Sequence, residues 1–211
     1  MKFKWNLPNL LTILRVLLIP LIVYMVIIES TLSVLIALLL YFVSIISDYF
    51  DGKIARKYNQ KSEFGEYFDP LADKFLIWGI FTFFSFKESL FIPIWLIAFI
   101  YLRDLLVTCL RSVSKIKKLQ FKTSVRAKAK TFVQMTGGFI ILLYMFITVL
   151  IRDFYKVRAL NYYEVWNKIM PGHSYMIVYI PLIISILVVI FTIYTGIDYL
   201  IKFKKGKTNE E

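Results

Sequence analysis

The chain has 211 residues, of which 59% are hydrophobic, 18% aromatic and 19% charged, and its mean hydropathy is +0.68. So high an apolar fraction excludes an ordinary soluble domain of this length. The formal net charge of +12 at pH 7 suits either a nucleic-acid partner or anionic membrane lipids, and the positions of the charges must distinguish the two.

Long apolar runs recur along the chain, and several approach the ~20 residues with which a helix crosses a bilayer. No segment has the alternating pattern of a transmembrane barrel. We therefore expect an all-α integral membrane protein with one domain over residues 1–211. Its six predicted transmembrane helices lie at about 12–28, 31–48, 70–86, 90–110, 131–151 and 175–201, and residues 202–211 are predicted to form a frayed tail.

Lysine and arginine concentrate at alternate connections between these spans, as in proteins whose positive loops stay inside the cell. The basic stretches are the N-terminus and residues 53–61, 111–130 and 202–207. The connections at 29–30, 87–88 and 152–174 carry fewer or mixed charges. We predict that both termini face the cytoplasm and that no nucleic acid is bound, although the 111–130 stretch alone also fits a topogenic loop beside anionic headgroups.

A polar stripe marks the start of the first predicted helix. Asn9, Thr12 and Arg15 follow one another at intervals of three residues, which places them on one helix face. Such a stripe fits the lining of a polar cavity, and it also fits capping and anchoring of the helix at the membrane surface.

Four aspartates flank the connection between the second and third spans. Asp48 and Asp51 are three residues apart, and Asp69 and Asp73 are four apart, so on helices each pair shares one face. Four carboxylates in a poorly solvated site would repel one another unless a cation lay between them. Oxygen ligands alone favour Mg²⁺ or Mn²⁺, and two such ions can clamp the attacking and leaving oxygens of a phosphoryl transfer.

Small residues follow the first aspartate pair. Gly52 and Ala55 leave the acid-bearing face nearly free of side-chain bulk, so a flat ligand can approach the backbone there. Arg56 fits either a phosphate contact or an interfacial anchor. Gly65 and Pro70 are predicted to bracket the turn into the third helix, with Pro70 in its first turn.

An arginine inside the fourth apolar run requires explanation, because a charge at that depth costs at least about 2.5 kcal/mol. Arg103 is followed by Asp104, which makes a structural ion pair one interpretation. The other is a phosphate site, in which Arg103 joins Arg111 on the same helix and Lys128 or Lys130 at the start of the next.

These residues resemble the signature of the CDP-alcohol phosphatidyltransferase family at every fixed position. The matching pattern is Asp48-x2-Asp51-Gly52-x2-Ala55-Arg56-x8-Gly65-x3-Asp69-x3-Asp73. Flanking segments resemble the bacterial members whose acceptor is sn-glycerol 3-phosphate. Those segments are Asn6–Arg15, Arg103-Asp104, Leu110-Arg111, Lys128–Thr131 and Gln134-Met135.

The resemblance implies six transmembrane helices in the plasma or inner membrane, a cytoplasm-facing polar cavity, a homodimer and two Mg²⁺ (or Mn²⁺) ions per site. It further implies that CDP-diacylglycerol and sn-glycerol 3-phosphate react to give phosphatidylglycerophosphate and CMP. Metal ligands would be Asp48, Asp51, Asp69 and Asp73, with Asp73 also as base. The nucleotide surface would comprise Gly52, Ala55, Arg56, Gly65, Asn9 and Thr12. Glycerol phosphate would meet Arg103, Arg111, Lys128 and Lys130.

Other interpretations remain open at this point. Inositol phosphate fits the basic residues almost as well. Serine and phosphatidylglycerol are further acceptors of the same chemistry, and an acceptor without phosphate, such as serine, would leave the basic residues without an obvious ligand. A cation transporter would place its acids near mid-span in broken helices. A non-catalytic membrane scaffold would explain the hydrophobicity but not the spacing of the motif.

Overall fold

The computed structural model describes residues 7–57, 63–116, 125–157 and 161–208, and in this part of the chain every regular element is helical. Side chains are described for residues 9–47, 68, 71–110, 113, 129–157, 161–201, 203 and 204. The helices are α1 Leu7–Ile28, α2 Thr31–Lys57, α3 Glu63–Phe86, α4 Ile94–Ile116, α5 Val125–Phe154, α6 Tyr162–Ile169, α7 Ser174–Val178 and α8 Ile180–Thr208, with one 3₁₀ turn at Glu88–Leu90.

Within the described residues, three helices are long and apolar enough to cross a membrane, namely Asn9–Ile28 in α1, Ala129–Phe154 in α5 and Ile180–Ile201 in α8. A shorter apolar segment, Thr31–Ser47, lies in α2. Large apolar side chains on these helices are exposed, including Leu17, Phe132 and Leu187. Apolar surface on this scale is favourable only against lipid. The chain is therefore an all-α membrane protein.

The turn between α1 and α2 is closed by reciprocal serine contacts. Glu29 adopts a left-handed backbone conformation with φ of 53°, which ends α1. The backbone N–H of Ser33 donates to the Ser30 hydroxyl at 3.1 Å, and the Ser30 N–H donates to the Ser33 hydroxyl at 3.0 Å. Because Ser30 precedes α2, this arrangement satisfies N–H groups that have no partner within the helix.

The second and third helices extend further into the polar sequence than their apolar runs predict. Helix α2 continues to Lys57, and α3 begins at Glu63 instead of near residue 70. The placement of Gly65 and Pro70 at the turn into the third helix is therefore wrong, since both lie inside α3. Hydropathy located the apolar part of each helix but not the polar turns that continue it.

The fourth span begins later than its predicted start at residue 90. Phe91 has a left-handed φ of 54°, and Pro93 has no N–H to extend a helix backwards, so α4 starts at Ile94. The last predicted span, 175–201, is two helices that break at Tyr179. Pro181 lies in the first turn of α8, where its missing N–H costs nothing.

The remaining two differences concern segments predicted to lack structure. The 152–174 connection contains α6, whose N-cap Asn161 accepts a hydrogen bond from the Glu164 N–H at 3.0 Å. Trp166 of α6 is buried and donates to Thr148 of α5 at 3.2 Å. Helix α8 runs to Thr208, so most of the segment predicted to fray is helical.

The helices pack as a connected bundle. Helix α1 contacts α2 and α3, α2 contacts α5, and α8 contacts both α4 and α5. Buried aromatic residues of α2 and α3 fill the centre, among them Tyr41, Phe81 and Phe84. Tyr41 donates its hydroxyl to the Met135 carbonyl of α5 at 3.1 Å. A Cβ on Gly138 would lie 2.5 Å from that hydroxyl, so glycine allows α5 to approach α2.

Charged residues join three connections at one end of the bundle. Glu29 forms an ion pair with Lys87, and Arg152 donates to the Glu29 carbonyl at 2.6 Å. Asp153 accepts from the Thr31 hydroxyl at 2.6 Å. Burial, reinforced by the negative charge of Glu29, raises the pKa of the Tyr162 phenol at this end. The connections at 29–30, 87–88 and the end of α5 therefore share one side, as the charge pattern predicts.

Gly138→Ala should lower the free energy of unfolding by about 1–3 kcal/mol, because the added methyl group collides with the Tyr41 phenol and displaces its hydrogen bond. Denaturant unfolding of the purified protein in mild detergent measures the change. Ile140→Ala, on the exposed side of the same helix with 41% of the residue accessible, is the control and should cost less. Equal losses for both variants would contradict the packing role of Gly138.

Candidate active site

The polar stripe of α1 faces the inside of the bundle. Asn9, Thr12 and Arg15 are all buried, and α1 packs against both α2 and α3, the helices that carry the aspartate motif. Burial fits the lining of an internal polar site better than anchoring at an exposed membrane surface.

Arg15 forms an ion pair with the last aspartate of the motif. Its Nη1 lies 2.6 Å from Oδ1 of Asp73, and the side-chain exposures are 0% and 23%. A buried guanidinium of this kind needs a counter-charge, and it favours the ionised form of the carboxylate that it contacts. The sequence placed Arg15 in a polar stripe that fits the lining of the cavity but gave it no partner and no role in the site. The available signal was a single charge inside an apolar run.

The other motif residues occupy helical backbone positions whose side chains lie outside the described set. Asp48, Asp51, Gly52, Ala55 and Arg56 belong to α2, whereas Gly65 and Asp69 belong to α3. Asp69 precedes Asp73 by one turn of the same helix, so these two positions share a face. Helix α1 contacts both α2, which carries the first half of the motif, and α3, which carries the second half.

The donor set that the motif supplies consists of carboxylates only, which fits a hard divalent cation. Asp73 is the one motif aspartate whose side chain is described, and it is a partly buried ligand candidate beside Arg15. Among the described side chains, no three His, Cys, Asp or Glu residues gather in one place. The remaining three ligand assignments stay predictions from the sequence.

A second charged cluster lies where α4, α5 and α8 meet. Asp104 is buried, and its Oδ1 lies 2.6 Å from Nζ of Lys130 and 3.3 Å from Nη1 of Arg103. Lys130 also donates to Oδ2 at 2.7 Å. The structure thus brings together two of the four predicted phosphate-binding residues. Arg111 in α4 and Lys128 in α5 lie outside the described side chains.

Helix α8 supplies the third wall of this cluster, which the sequence did not predict. Thr195 accepts a hydrogen bond from Nη2 of Arg103 at 3.1 Å. A Cβ on Gly196 would lie 2.9 Å from Cγ of Arg103, so glycine leaves space for the arginine stem. Thr192, one turn before Thr195 on α8, accepts a hydrogen bond from the Gln134 side chain of α5 at 3.2 Å.

The two clusters are linked through a lysine next to the motif. Lys74 follows Asp73 on α3 and donates to the Thr108 hydroxyl of α4 at 2.7 Å. Thr108 in turn donates to the Asp104 backbone carbonyl at 2.6 Å. Lys74 and Thr108 were not singled out from the sequence because neither has an unusual local setting. Their contact places carboxylates and cations on adjacent helices, an arrangement suited to phosphoryl transfer.

Comparison with known proteins identifies the family of this chain. Residues 5–195 match the sequence model of the family described as CDP-alcohol phosphatidyltransferase. A Rickettsia felis protein named CDP-diacylglycerol–glycerol-3-phosphate 3-phosphatidyltransferase is 40% identical over 144 residues, which cover 68% of this chain and 78% of that protein. The Rickettsia prowazekii protein of the same name is 41% identical over 145 residues, with the same coverage. An Escherichia coli K12 protein of that name is 43% identical over 74 residues, covering 35% of this chain and 41% of that protein.

Arg15→Met and Asp73→Asn should each lower the free energy of unfolding, by about 3 kcal/mol for Asp73→Asn, because this substitution removes a counter-charge of the fully buried guanidinium. The double variant should cost less than the sum by about 1–3 kcal/mol, because the attraction between the two groups can be lost only once. Chemical denaturation of all three variants in detergent measures this coupling. Leu14→Met, on the exposed side of α1, is the control. Strictly additive losses would contradict the ion pair.

Proposed function

Because this chain belongs to the CDP-alcohol phosphatidyltransferase family, we propose that it transfers the phosphatidyl group of CDP-diacylglycerol to sn-glycerol 3-phosphate in phospholipid biosynthesis. The products are phosphatidylglycerophosphate and CMP. The observation that supports this function best is that Lys74, the neighbour of Asp73, donates to Thr108 of α4, one turn from the carboxylate of Asp104 that Lys130 contacts. The names of the Rickettsia proteins support the choice of acceptor.

Two divalent cations, Mg²⁺ or Mn²⁺, are proposed to bind Asp48, Asp51, Asp69 and Asp73. When bound, they would neutralise the pyrophosphate and the charge that develops on the departing CMP. The carboxylate chemistry of the motif fits these ions, and the protein itself then needs to supply little covalent chemistry.

Asp73 is proposed to accept the proton of the glycerol phosphate hydroxyl. That oxygen forms a bond to the lipid-bearing phosphorus, and the bond from this phosphorus to CMP breaks. Arg15 supports the role because its contact at 2.6 Å favours the ionised carboxylate and fixes one of its oxygens. A base must be ionised before it can accept a proton, and the ion pair favours that state.

The nucleotide is proposed to lie against Gly52, Ala55, Arg56 and Gly65, with Asn9 and Thr12 on the facing helix. The burial of Asn9 and Thr12 on the side of α1 that packs on α2 and α3 supports their inclusion. Small residues on α2 would allow the flat base and ribose to approach the helix backbone.

The acceptor phosphate is proposed to bind Arg103, Arg111, Lys128 and Lys130. A phosphate dianion is best held by guanidinium and ammonium groups that are already close together, and Arg103 and Lys130 share one carboxylate. Serine has no phosphate and would leave these cations without a ligand. Inositol phosphate remains the competing acceptor, since it offers the same charge.

In the membrane, we propose six transmembrane helices, formed by α1 to α5 and α8, in the plasma or inner membrane. The termini and a polar cavity face the cytoplasm, and the protein forms a homodimer. The gathering of Glu29, Lys87 and Arg152 at one end supports the alternation of sides. A cation transporter would interrupt its helices at the acids, whereas α2 and α3 run unbroken through theirs.

Purified protein should release CMP from CDP-diacylglycerol when sn-glycerol 3-phosphate and Mg²⁺ are present. Serine should give at least about tenfold less, because it has no phosphate for the proposed contacts to hold. Inositol phosphate and phosphatidylglycerol, offered separately, should also give less, in line with the acceptor in the names of the Rickettsia proteins. Quantifying CMP by chromatography measures the reaction. Release with inositol phosphate alone would overturn the proposed acceptor.

Asp51→Ala should lower the rate of CMP release by at least about a hundredfold, because it removes a proposed metal ligand from the reacting centre. Asp153→Ala is the matched control at the other end of the bundle, where Asp153 contacts Thr31 and Arg152, and it should keep its activity. Initial rates over a range of Mg²⁺ concentrations make the comparison. Full activity of the Asp51 variant would contradict the assignment of Asp51 as a metal ligand.

Removal of divalent cations with a chelator should abolish CMP release, and added Mg²⁺ or Mn²⁺ should restore it. Without bound cations, the carboxylates of the aspartate motif should repel the pyrophosphate of the substrate. Assays before chelation, after it and after metal addition test this dependence. Activity that persists in excess chelator would contradict a metal-dependent reaction.

A further inference from the structure

We propose that Asp104 is a positioning residue for the acceptor phosphate, because its buried carboxylate holds Arg103 and Lys130 together for a single anion. This inference rests on the proposed function and assigns to Asp104 a task different from neutralising its sequence neighbour. The residue itself does not contact substrate in this scheme. It acts through the two cations.

The contacts of Asp104 are unequal in a way that suits this task. Lys130 bonds both carboxylate oxygens, at 2.6 and 2.7 Å, whereas Arg103 approaches Oδ1 at 3.3 Å. The Asp104 side chain is 1% exposed and that of Arg103 is 11% exposed. The Asp104 carboxylate is thus the more deeply buried partner, and the Arg103 side chain is the more accessible one.

Electrostatics gives a reason for the shared carboxylate. Arg103 and Lys130 both lie within bonding distance of Oδ1, so two like charges are held close together in a poorly solvated region. Their repulsion is strong at low dielectric, and one negative charge between them offsets it. The same closeness lets both cations bind one phosphate group, which accepts several charge-assisted hydrogen bonds at once.

A purely structural ion pair would not require a second cation. Buried ion pairs contribute little net stability, since desolvation of the charges offsets their attraction. Recruiting Lys130 from α5 to a carboxylate that already has Arg103 beside it adds a further desolvated charge. The free-energy cost of burying this additional charge has a reason if the cluster binds a doubly charged ligand.

Helix α8 completes the arrangement from the other side of Arg103. Thr195 accepts from Nη2 at 3.1 Å, while Asp104 lies near Nη1, so two helices fix the plane of the guanidinium. Gly196 leaves space for the stem of the same side chain. Thr195 therefore offers a mild substitution that disturbs the orientation of Arg103 without changing any charge.

The test compares Asp104→Asn, Asp104→Glu and Thr195→Val with the full-length wild-type protein in detergent, under saturating Mg²⁺. Asp104→Asn should raise the KM for sn-glycerol 3-phosphate by about 10- to 100-fold, as expected when a hydrogen-bonded charge loses its partner. The kcat and the KM for CDP-diacylglycerol should change by less than about threefold. Asp104→Glu should recover most of the loss, and Thr195→Val should raise the same KM about two- to fivefold.

Asp153→Asn is the matched carboxylate-to-amide control, since Asp153 lies at the other end of the bundle, and it should leave the KM unchanged. An unchanged KM in Asp104→Asn would overturn the inference. The inference would also be overturned if kcat fell, both KM values rose to a similar extent and the melting temperature dropped. That combination would indicate a structural role alone. If Asp104→Asn does not fold, Thr195→Val decides, and an unchanged KM in that variant overturns the proposal.

Failure of the proposed function would look different. Wild-type protein would then release CMP only with another acceptor, or not at all. The shift in melting temperature caused by sn-glycerol 3-phosphate still tests Asp104 without turnover. Wild type should gain stability from this ligand, whereas Asp104→Asn should gain clearly less at the same concentration. Equal shifts in the two proteins, both above zero, would overturn the positioning role, whereas no shift in the wild type would contradict the proposed acceptor itself.

Discussion

A charged side chain buried among membrane helices needs a counter-charge, and this constraint sets the architecture around the site. Arg15 meets Asp73 and so joins α1 to α3 at the end of the aspartate motif. Asp104 meets Lys130 and Arg103 and so joins α4 to α5, while Thr195 adds α8. The contacts that make burial of these charges tolerable are the same contacts that position the groups proposed to act on substrate.

The rest of the bundle holds these clusters in place. Tyr41 and Gly138 bring α2 and α5 into close contact at the centre, where side chains are apolar or aromatic. At the end with Glu29, Lys87 and Arg152, charges join the connections instead of forming a cavity. The helices are thus joined at their centre and at one end.

The proposed metal ligands and the proposed phosphate-binding cations lie on different helices. Carboxylates belong to α2 and α3, whereas the described cations of the second cluster belong to α4 and α5. The contact of Lys74 with Thr108 joins α3, which carries Asp73, to α4, which carries Arg103 and Asp104. In the proposed reaction, metal ions and acceptor phosphate would each meet groups of opposite sign, so that positioning and electrostatics supply most of the catalysis.

The sequence by itself determined the helical membrane class, the spacing of the aspartates and the alternation of charged connections, because hydropathy and helical period are local properties. It misplaced the start of α3, and with it Pro70, because polar helical turns carry no hydropathy signal. The sequence suggested Asp104 as partner of Arg103, its neighbour. Only the tertiary structure shows that Lys130 also contacts the Asp104 carboxylate and that Arg15 pairs with Asp73, 58 residues away. Such partners depend on distances between helices that are remote in the chain, and no local pattern encodes those distances.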